Sequence, residues 1–203
     1  QIDSATGAYL PLDWELVKSA GFDFVIIKAG STKSGMEPTF EMDYKGARAA
    51  GLEVGAYFYT YSTTPTGILK DAEMLMLWLE GKKFEYPIYF DMEDSKQTAL
   101  STELRMEMLA DFCTVLSDNG YFPGLYTNNN WLLNYWHEES VARLYDIWYA
   151  RYGSYPADKF DSEYGMWQYT ESGVLEGIDG YFDLNFSYKN YAEIMKKWGL
   201  NGF

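Results

Sequence analysis

The chain is poor in the residues on which most enzyme chemistry runs. It holds one cysteine, Cys113, and one histidine, His137, in 203 residues. A single thiol forms no internal disulfide, so secretion is neither indicated nor excluded by cysteine usage. A zinc site draws on several His and Cys, and a Ser or Cys nucleophile on a histidine base, so both chemistries are poorly supplied. Cys113 falls on the apolar stripe of a predicted helix and reads as an inert core thiol. His137, within Tyr135-Trp136-His137-Glu138-Glu139, reads as a surface residue at a loop or helix end. Positive charge is scarce as well. There are 16 Lys and Arg against 30 Asp and Glu, a formal charge of −14 with no basic cluster. That balance argues against nucleic acid and anionic membrane surfaces as direct partners. No apolar run is long enough for a membrane span or a signal peptide. Because the chain opens at Gln1 on a strand-like segment, a leader or neighbouring domain is expected upstream. No metal or cofactor is expected, and the chemistry left is that of carboxylates and aromatic rings.

Those two are abundant. Aromatic residues make up 19% of the chain, including 19 Tyr and 7 Trp, more than a core of this size needs. Sugar-binding clefts use such rings as stacking platforms with a polar handle. Apolar residues at 47% suffice for one sizeable core, and nothing resembles a linker, so residues 1–203 are expected to form a single, monomeric domain. The stretch around which the chain is organised is Tyr86-Pro87-Ile88-Tyr89-Phe90-Asp91-Met92-Glu93-Asp94. Side chains along a strand alternate, so Tyr89, Asp91 and Glu93 share one face while Ile88, Phe90 and Met92 take the other. The apolar face can pack on helices. The two acids, with Cα atoms roughly 7 Å apart from strand rise alone, then point together into whatever the sheet encloses, a spacing that suits paired hydrolytic carboxylates.

Around this strand the chain alternates strands and helices. Ile2-Asp3-Ser4 opens as a short strand, and Asp13 caps a helix reaching about Ala20. Phe22-Asp23-Phe24-Val25-Ile26-Ile27-Lys28-Ala29 is an almost continuous apolar run, as expected of a parallel strand covered on both faces. A second helix lies between Pro38 and Gly51, and residues 52–59 form the next strand. Ala20-Gly21 and Ala50-Gly51 are helix stops 30 residues apart, each running into a strand, with a looser third copy at Asn119-Gly120. Helices are predicted at 67–79 and 101–117, and a strand at 124–128. The pattern then changes: a short helix at 131–136, three strand candidates at 147–152, 166–170 and 181–186, and a closing amphipathic helix at 188–198. The alternation implies a parallel sheet with right-handed crossovers. Eight strands with about five crossover helices is too lean for a full eightfold barrel, so a shortened barrel fits better than an open doubly wound sheet. Either architecture binds ligands at the C-terminal strand ends, where Asp91 and Glu93 fall.

Several polar or aromatic residues are expected at those same ends: Asp3, Tyr57, Asp91, Glu93, Tyr126, Asn128, Trp148, Trp167, Gln168 and Asp183. Taken in order, with Leu12-Asp13-Trp14-Glu15-Leu16-Val17-Lys18, Phe24-Val25-Ile26-Ile27-Lys28-Ala29, Ala49-Ala50-Gly51-Leu52-Glu53-Val54-Gly55-Ala56-Tyr57, Leu125-Tyr126-Thr127-Asn128, Trp148-Tyr149-Ala150-Arg151-Tyr152, Trp167-Gln168-Tyr169-Thr170 and Asp183-Leu184-Asn185, the set resembles glycoside hydrolase family 25, the Chalaropsis-type lysozymes, over essentially the whole chain. The resemblance implies an α/β fold, a shortened TIM-like barrel of the form (β/α)5(β)3. It also implies N-acetylmuramidase activity on the glycan strand of bacterial peptidoglycan. By the same resemblance Glu93 matches the family's general acid, Asp91 its carboxylate partner, and Asp3 and Asp183 its flanking acids. Some positions depart from the family pattern: Phe58 stands where a His is common, and Lys28-Ala29-Gly30-Ser31 lacks the usual Thr-Glu-Gly.

In that reading Glu93 protonates the leaving oxygen. Asp91 either attacks as nucleophile or orients the substrate's own 2-acetamido group for attack, the second being preferred. Tyr57 and Tyr126 are candidate donors near the acetamide, and Trp148 and Trp167 candidate sugar platforms. A chitinase-like glycosidase, which also uses a strand-borne Asp-x-Glu, and a non-catalytic wall-glycan-binding module are the alternatives. The expected place of action is extracellular or at the cell wall, as an autolysin, a defence lysozyme or a phage endolysin.

Overall fold

A computed structural model describes residues 9–153 and 164–203. The expected strand Ile2-Asp3-Ser4, and Asp3 with it, lies outside the described residues. In chain order the elements are α1 (Trp14–Ser19), β1 (Phe24–Ser31), β2 (Gly35–Met36), α2 (Phe40–Ala49), β3 (Glu53–Tyr59), α3 (Pro65–Leu79), β4 (Ile88–Asp91), a 3-10 turn (Ser95–Ala99), α4 (Thr102–Asp118), β5 (Pro123–Asn128), α5 (Asn129–Asn134), α6 (Glu138–Leu144), β6 (Asp146–Ala150), β7 (Met166–Leu175), β8 (Ile178–Ser187) and a last helix, here α7 (Tyr191–Trp198).

Local chemistry sets most of these boundaries. Side-chain oxygens of Asp13, Thr64, Ser101, Asn128 and Asn190 each accept a backbone N–H in the first turn of the helix that follows; such a cap contributes about 1 kcal/mol. The repeated helix stops take the backbone into the left-handed region at Gly21, Gly51 and Gly120, with φ of 93°, 76° and 79°, which only glycine adopts at little cost.

The strands form one sheet in the order β2-β1-β3-β4-β5-β6-β7-β8. Every neighbouring pair from β1 through β3, β4, β5 and β6 to β7 is parallel, while β2 and β8 pair antiparallel at the two edges. The described part thus holds four βα units followed by three strands, the (β/α)5(β)3 pattern without its first strand. Ile88 and Phe90 face the helix layer, where Phe90 meets Phe112 at 4.4 Å between ring centroids. Tyr89 faces the other way, into a smaller aromatic core with Tyr86, Trp148, Met166, Tyr191 and Met195. Tyr191 and Met195 come from α7. Tyr191 donates its hydroxyl proton to Asp146, the first residue of β6. α7 therefore plugs the end at which the parallel strands begin, and the opposite end is left for the site.

Four features differ from the sequence expectation. β4 stops at Asp91, because Asp94 and Gln97 form a reciprocal capping box that starts the 3-10 turn; Glu93 therefore sits past the strand instead of on it. The helix expected at 131–136 is α5, starting two residues earlier, and α6 follows it with His137 at its N-cap. α6 buries only Val141, too little apolar patterning to register as a helix. β7 and β8 run ten residues each, longer than predicted, because register shifts after Gln168, Thr170 and Gly173 interrupt the alternation that marks a strand.

The inner core leaves no slack at Gly124, where an added Cβ would lie 2.5 Å from the Tyr89 ring. Gly124→Ala is expected to cost about 1–3 kcal/mol by overpacking, read as a fall in Tm of several degrees with unchanged far-UV circular dichroism.

Candidate active site

Parallel register assembles the site. The row Tyr59, Asp91, Tyr126 and Trp148 runs straight across β3, β4, β5 and β6 as paired Cα positions. Their side chains line one cavity of about 470 Å³ at the C-terminal strand ends, together with Tyr57, Glu93, Asn128, Tyr152, Gln168, Glu171 and Asp183. Of the ten residues expected at the site, eight are brought together here. Asp3 lies outside the described residues. Trp167 does not line the cavity: it follows Met166 and precedes Gln168, both turned inward, so alternation sends its ring to the outer face. There it packs against Tyr169 and Phe186 and donates its indole N–H to the Arg151 carbonyl. Trp148 is the cavity floor. It is 4% exposed, held by the rings of Tyr57, Tyr89 and Tyr126, and donates its indole N–H to Asn185 at 2.8 Å.

The two central acids differ in environment. Asp91 is 5% exposed, and among the described residues its Oδ1 has no hydrogen-bond partner. Burial, reinforced by the charge of Glu93, pushes its carboxyl well above the usual range, with Lys28 pulling partly back. Glu93 is half-buried and accepts a 2.7 Å hydrogen bond from Asn128 Nδ2. Burial raises its pKa too, and the Asn128 donor offsets part of that rise. Asn128 holds this pose because its Oδ1 is simultaneously the N-cap of α5, accepting from Trp131 N at 3.0 Å. Asp183, on β8 and the most exposed of the three, is raised by desolvation and by Glu171 beside it.

A hydrogen-bonded chain closes the far wall. Gln168, 1% exposed, accepts from Tyr126 at 3.3 Å and Tyr152 at 2.8 Å through Oε1, and donates from Nε2 to Asp183 at 3.2 Å. Burial and the surrounding carboxylates push the hydroxyls of Tyr57 and Tyr126 far up and that of Tyr152 to about 12. All three stay protonated at any working pH. Among the described residues no group of three or more His, Cys, Asp or Glu is arranged to hold a metal ion.

Tyr59, Tyr152 and Glu171 were not foreseen. Tyr59 was readable, since it is two residues from Tyr57 on one strand and so on the same face. Tyr152 lies just past β6, where strand alternation from Trp148 still points it inward. Glu171 was not readable: it is three residues from Gln168, and only the register shift between them turns both toward the cavity.

An acid that is harder to ionise in the folded state than in the unfolded one destabilises the fold as pH rises through its folded pKa. Asp91→Asn, which cannot ionise, is expected to raise thermal stability at pH 8 by about 1–3 kcal/mol. The gain should shrink as pH falls and vanish below about pH 3, where Asp91 is protonated in both states. Calorimetry across that range measures it.

Comparison with known proteins agrees with this geometry. The family profile described as glycosyl hydrolases family 25 matches residues 10–178. An autolytic lysozyme of Clostridium acetobutylicum is 29% identical over 175 residues, covering 86% of this chain and 51% of the relative. The chain thus spans about half the length of that protein. A probable family 25 lysozyme of Dictyostelium discoideum is 27% identical over 178 residues, covering 84% of this chain and 82% of the relative. Among solved structures, the bacterial lysozyme from Streptomyces coelicolor superposes with a TM-score of 0.74 at 23% identity, over 93% of this chain and 91% of that one; at that identity the likeness concerns the fold. With the family profile spanning most of the chain, the protein belongs to glycosyl hydrolase family 25.

Proposed function

We propose that this chain is a peptidoglycan N-acetylmuramidase, cleaving the β-1,4 bond from N-acetylmuramic acid to N-acetylglucosamine. Glu93 is its general acid and base, and Asp91 the partner carboxylate. The observation that carries this reading is the pairing of a deep, unpartnered Asp91 with a half-buried, Asn128-bound Glu93 in one ring-lined cavity. The names of the relatives, both lysozymes, support the substrate class. An autolytic relative also favours action at the cell wall, outside the membrane.

Burial works against ionising either acid, and the charge of Glu93 adds to this at Asp91, so we take the pair to enter the reaction sharing one proton. In the empty cavity Asp91 is the better holder, since it is deeper and no donor stabilises its charged form. A substrate acetamide N–H offered to the cavity face of the Asp91 carboxylate reverses that preference, because a hydrogen bond to a carboxylate favours ionisation. The proton is then left to Glu93, which faces the more open part of the cavity. From there the acetamide carbonyl oxygen attacks the anomeric carbon as the glycosidic C–O bond breaks, and the Glu93 proton passes to the leaving oxygen. The oxazolinium cation that forms is balanced by ionised Asp91. Water attacks the anomeric carbon, giving its proton to Glu93 and reopening the ring. This assisted route is preferred to a covalent aspartyl intermediate because the substrate carries its own 2-acetamido group. Tyr57 supplies a hydroxyl toward the acetamide. Tyr126 spends its proton on Gln168 and is left to accept.

Glu93→Gln keeps the shape but removes the transferable proton. Hydrolysis of bacterial cell walls should fall by about 10²-fold or more with Tm near wild type, and Asp183→Asn should lose much less. Borohydride reduction of the wild-type digest should yield muramitol; glucosaminitol instead would mean the other glycosidic bond is cut and would favour a chitinase-like enzyme. Wild-type-like turnover by Glu93→Gln removes it from the acid role, and no turbidity loss with any wall would point to a glycan-binding module.

Asn128→Asp retains the helix cap while replacing the donor at Glu93 by a second carboxylate. The Glu93 pKa should rise by about one unit or more. The alkaline limb of the pH–rate profile, where the acid loses its proton, should move upward by the same amount. An unmoved limb would mean that Glu93 does not set it.

A further inference from the structure

The rim of the cavity on the β1–β3 side carries an arrangement that the hydrolytic step does not use. Tyr59 lines the cavity, and the Tyr61 ring lies 4.7 Å from the Tyr59 ring, just outside it. Over the Tyr61 face, 3.5 Å from its centroid, stands the Lys33 ammonium. Lys33 is at the tip of the short hairpin joining β1 to β2, which is closed by Ser31 and Ser34: their hydroxyls are 2.7 Å apart, and Ser34 N donates to Ser31 Oγ.

Buried polar groups hold this rim in place. Asp71 on α3, 3% exposed, accepts from the hydroxyls of Thr32 at 2.9 Å and Thr60 at 2.7 Å through one oxygen, Oδ2. Thr32 Oγ1 accepts in turn from Tyr61 N, so one hydroxyl ties the Lys33 hairpin to the tyrosine beneath it. Gln97, fully buried, donates to the carbonyls of Thr60 and Ser62 and accepts from Asp94 N, next to Glu93. The loop bearing Tyr61 is thus pinned to the segment bearing the general acid. A buried carboxylate and a buried amide are costly to desolvate, and here both fix backbone at one edge of the cavity.

Among the described residues the cavity is lined by Asp91, Glu93, Glu171 and Asp183 and by no lysine or arginine. A neutral sugar enters such a field at no electrostatic cost, but a carboxylate-bearing one is repelled. An ammonium resting on a ring face keeps its three N–H donors and its charge free for an anion on its open side. We infer that Lys33, seated on Tyr61 beside Tyr59, is a subsite for a carboxylate on the substituent branching from the glycan next to the cleaved bond. This rests on the muramidase reading, and it adds a specificity element that recognises the branch apart from the sugar ring.

The test compares cell-wall peptidoglycan with the same material after its carboxyl groups have been converted to neutral amides, at low ionic strength. For wild type, kcat/KM on native wall should exceed that on amidated wall by about threefold, as befits one exposed ion pair. In Lys33→Met the ratio should fall to one or below, and in Lys33→Glu lower still, all three proteins having the same Tm. Adding salt should compress the wild-type ratio toward one. A ratio in Lys33→Met equal to that of wild type would overturn the subsite while leaving the hydrolytic assignment intact. Failure of wild type to cut either substrate would instead remove the muramidase reading and the subsite with it. Stripping the peptides with an amidase, which frees the carboxylate on the ether branch of the sugar, supports the subsite either way: persisting Lys33 dependence assigns that carboxylate, and loss of it assigns those of the peptide.

Discussion

The four residues of β4 hold the site together by serving two opposed environments at once. Ile88 and Phe90 are buried to 0% exposure in the helix layer, while Tyr89 and Asp91 turn into the sheet interior. Burying side chains of that size contributes about 1.5–3 kcal/mol each, enough to offset a carboxylate placed where no protein donor reaches it. β4 also lies between β3 and β5, hydrogen-bonded on both sides, so it cannot slip to relieve Asp91: a one-residue shift would exchange Phe90 with Asp91 across the sheet. The raised pKa of Asp91 is therefore a consequence of packing that the rest of the fold enforces.

That logic also decides how much was legible in the sequence. Asp91 on β4, the repeated helix-stop glycines and the helix-poor second half follow from periodicity and turn chemistry, which are local. Adjacent Trp167 and Gln168 could not both face inward, and the sequence offered no means of choosing. The choice is made by pairing, Gln168 opposite Ala150 and Asn185, with Met166 filling the core below. Glu171 was hidden for a related reason, since a register shift reverses the facing of everything after it. Lys33 was invisible because nothing local to a hairpin tip predicts which ring it will stand on, and Tyr61 comes from the loop after β3, adjacent in space but nearly 30 residues away.

Three of the four described acids of the cavity are sorted by the amides beside them. Glu93 has the Asn128 donor and Asp183 the Gln168 donor, whereas Asp91 has neither. Each amide is immobilised by a second task, capping α5 for Asn128 and receiving two tyrosine hydroxyls for Gln168. An amide with both ends engaged cannot rotate to serve a different carboxylate, so the distribution of donors is fixed before any ligand arrives. Preorganisation of this kind leaves the deepest acid without an amide donor among the described residues and gives the better-solvated acids one each. Carboxylates of similar intrinsic chemistry are thereby set in different environments, with no lysine or arginine among the described residues lining the cavity.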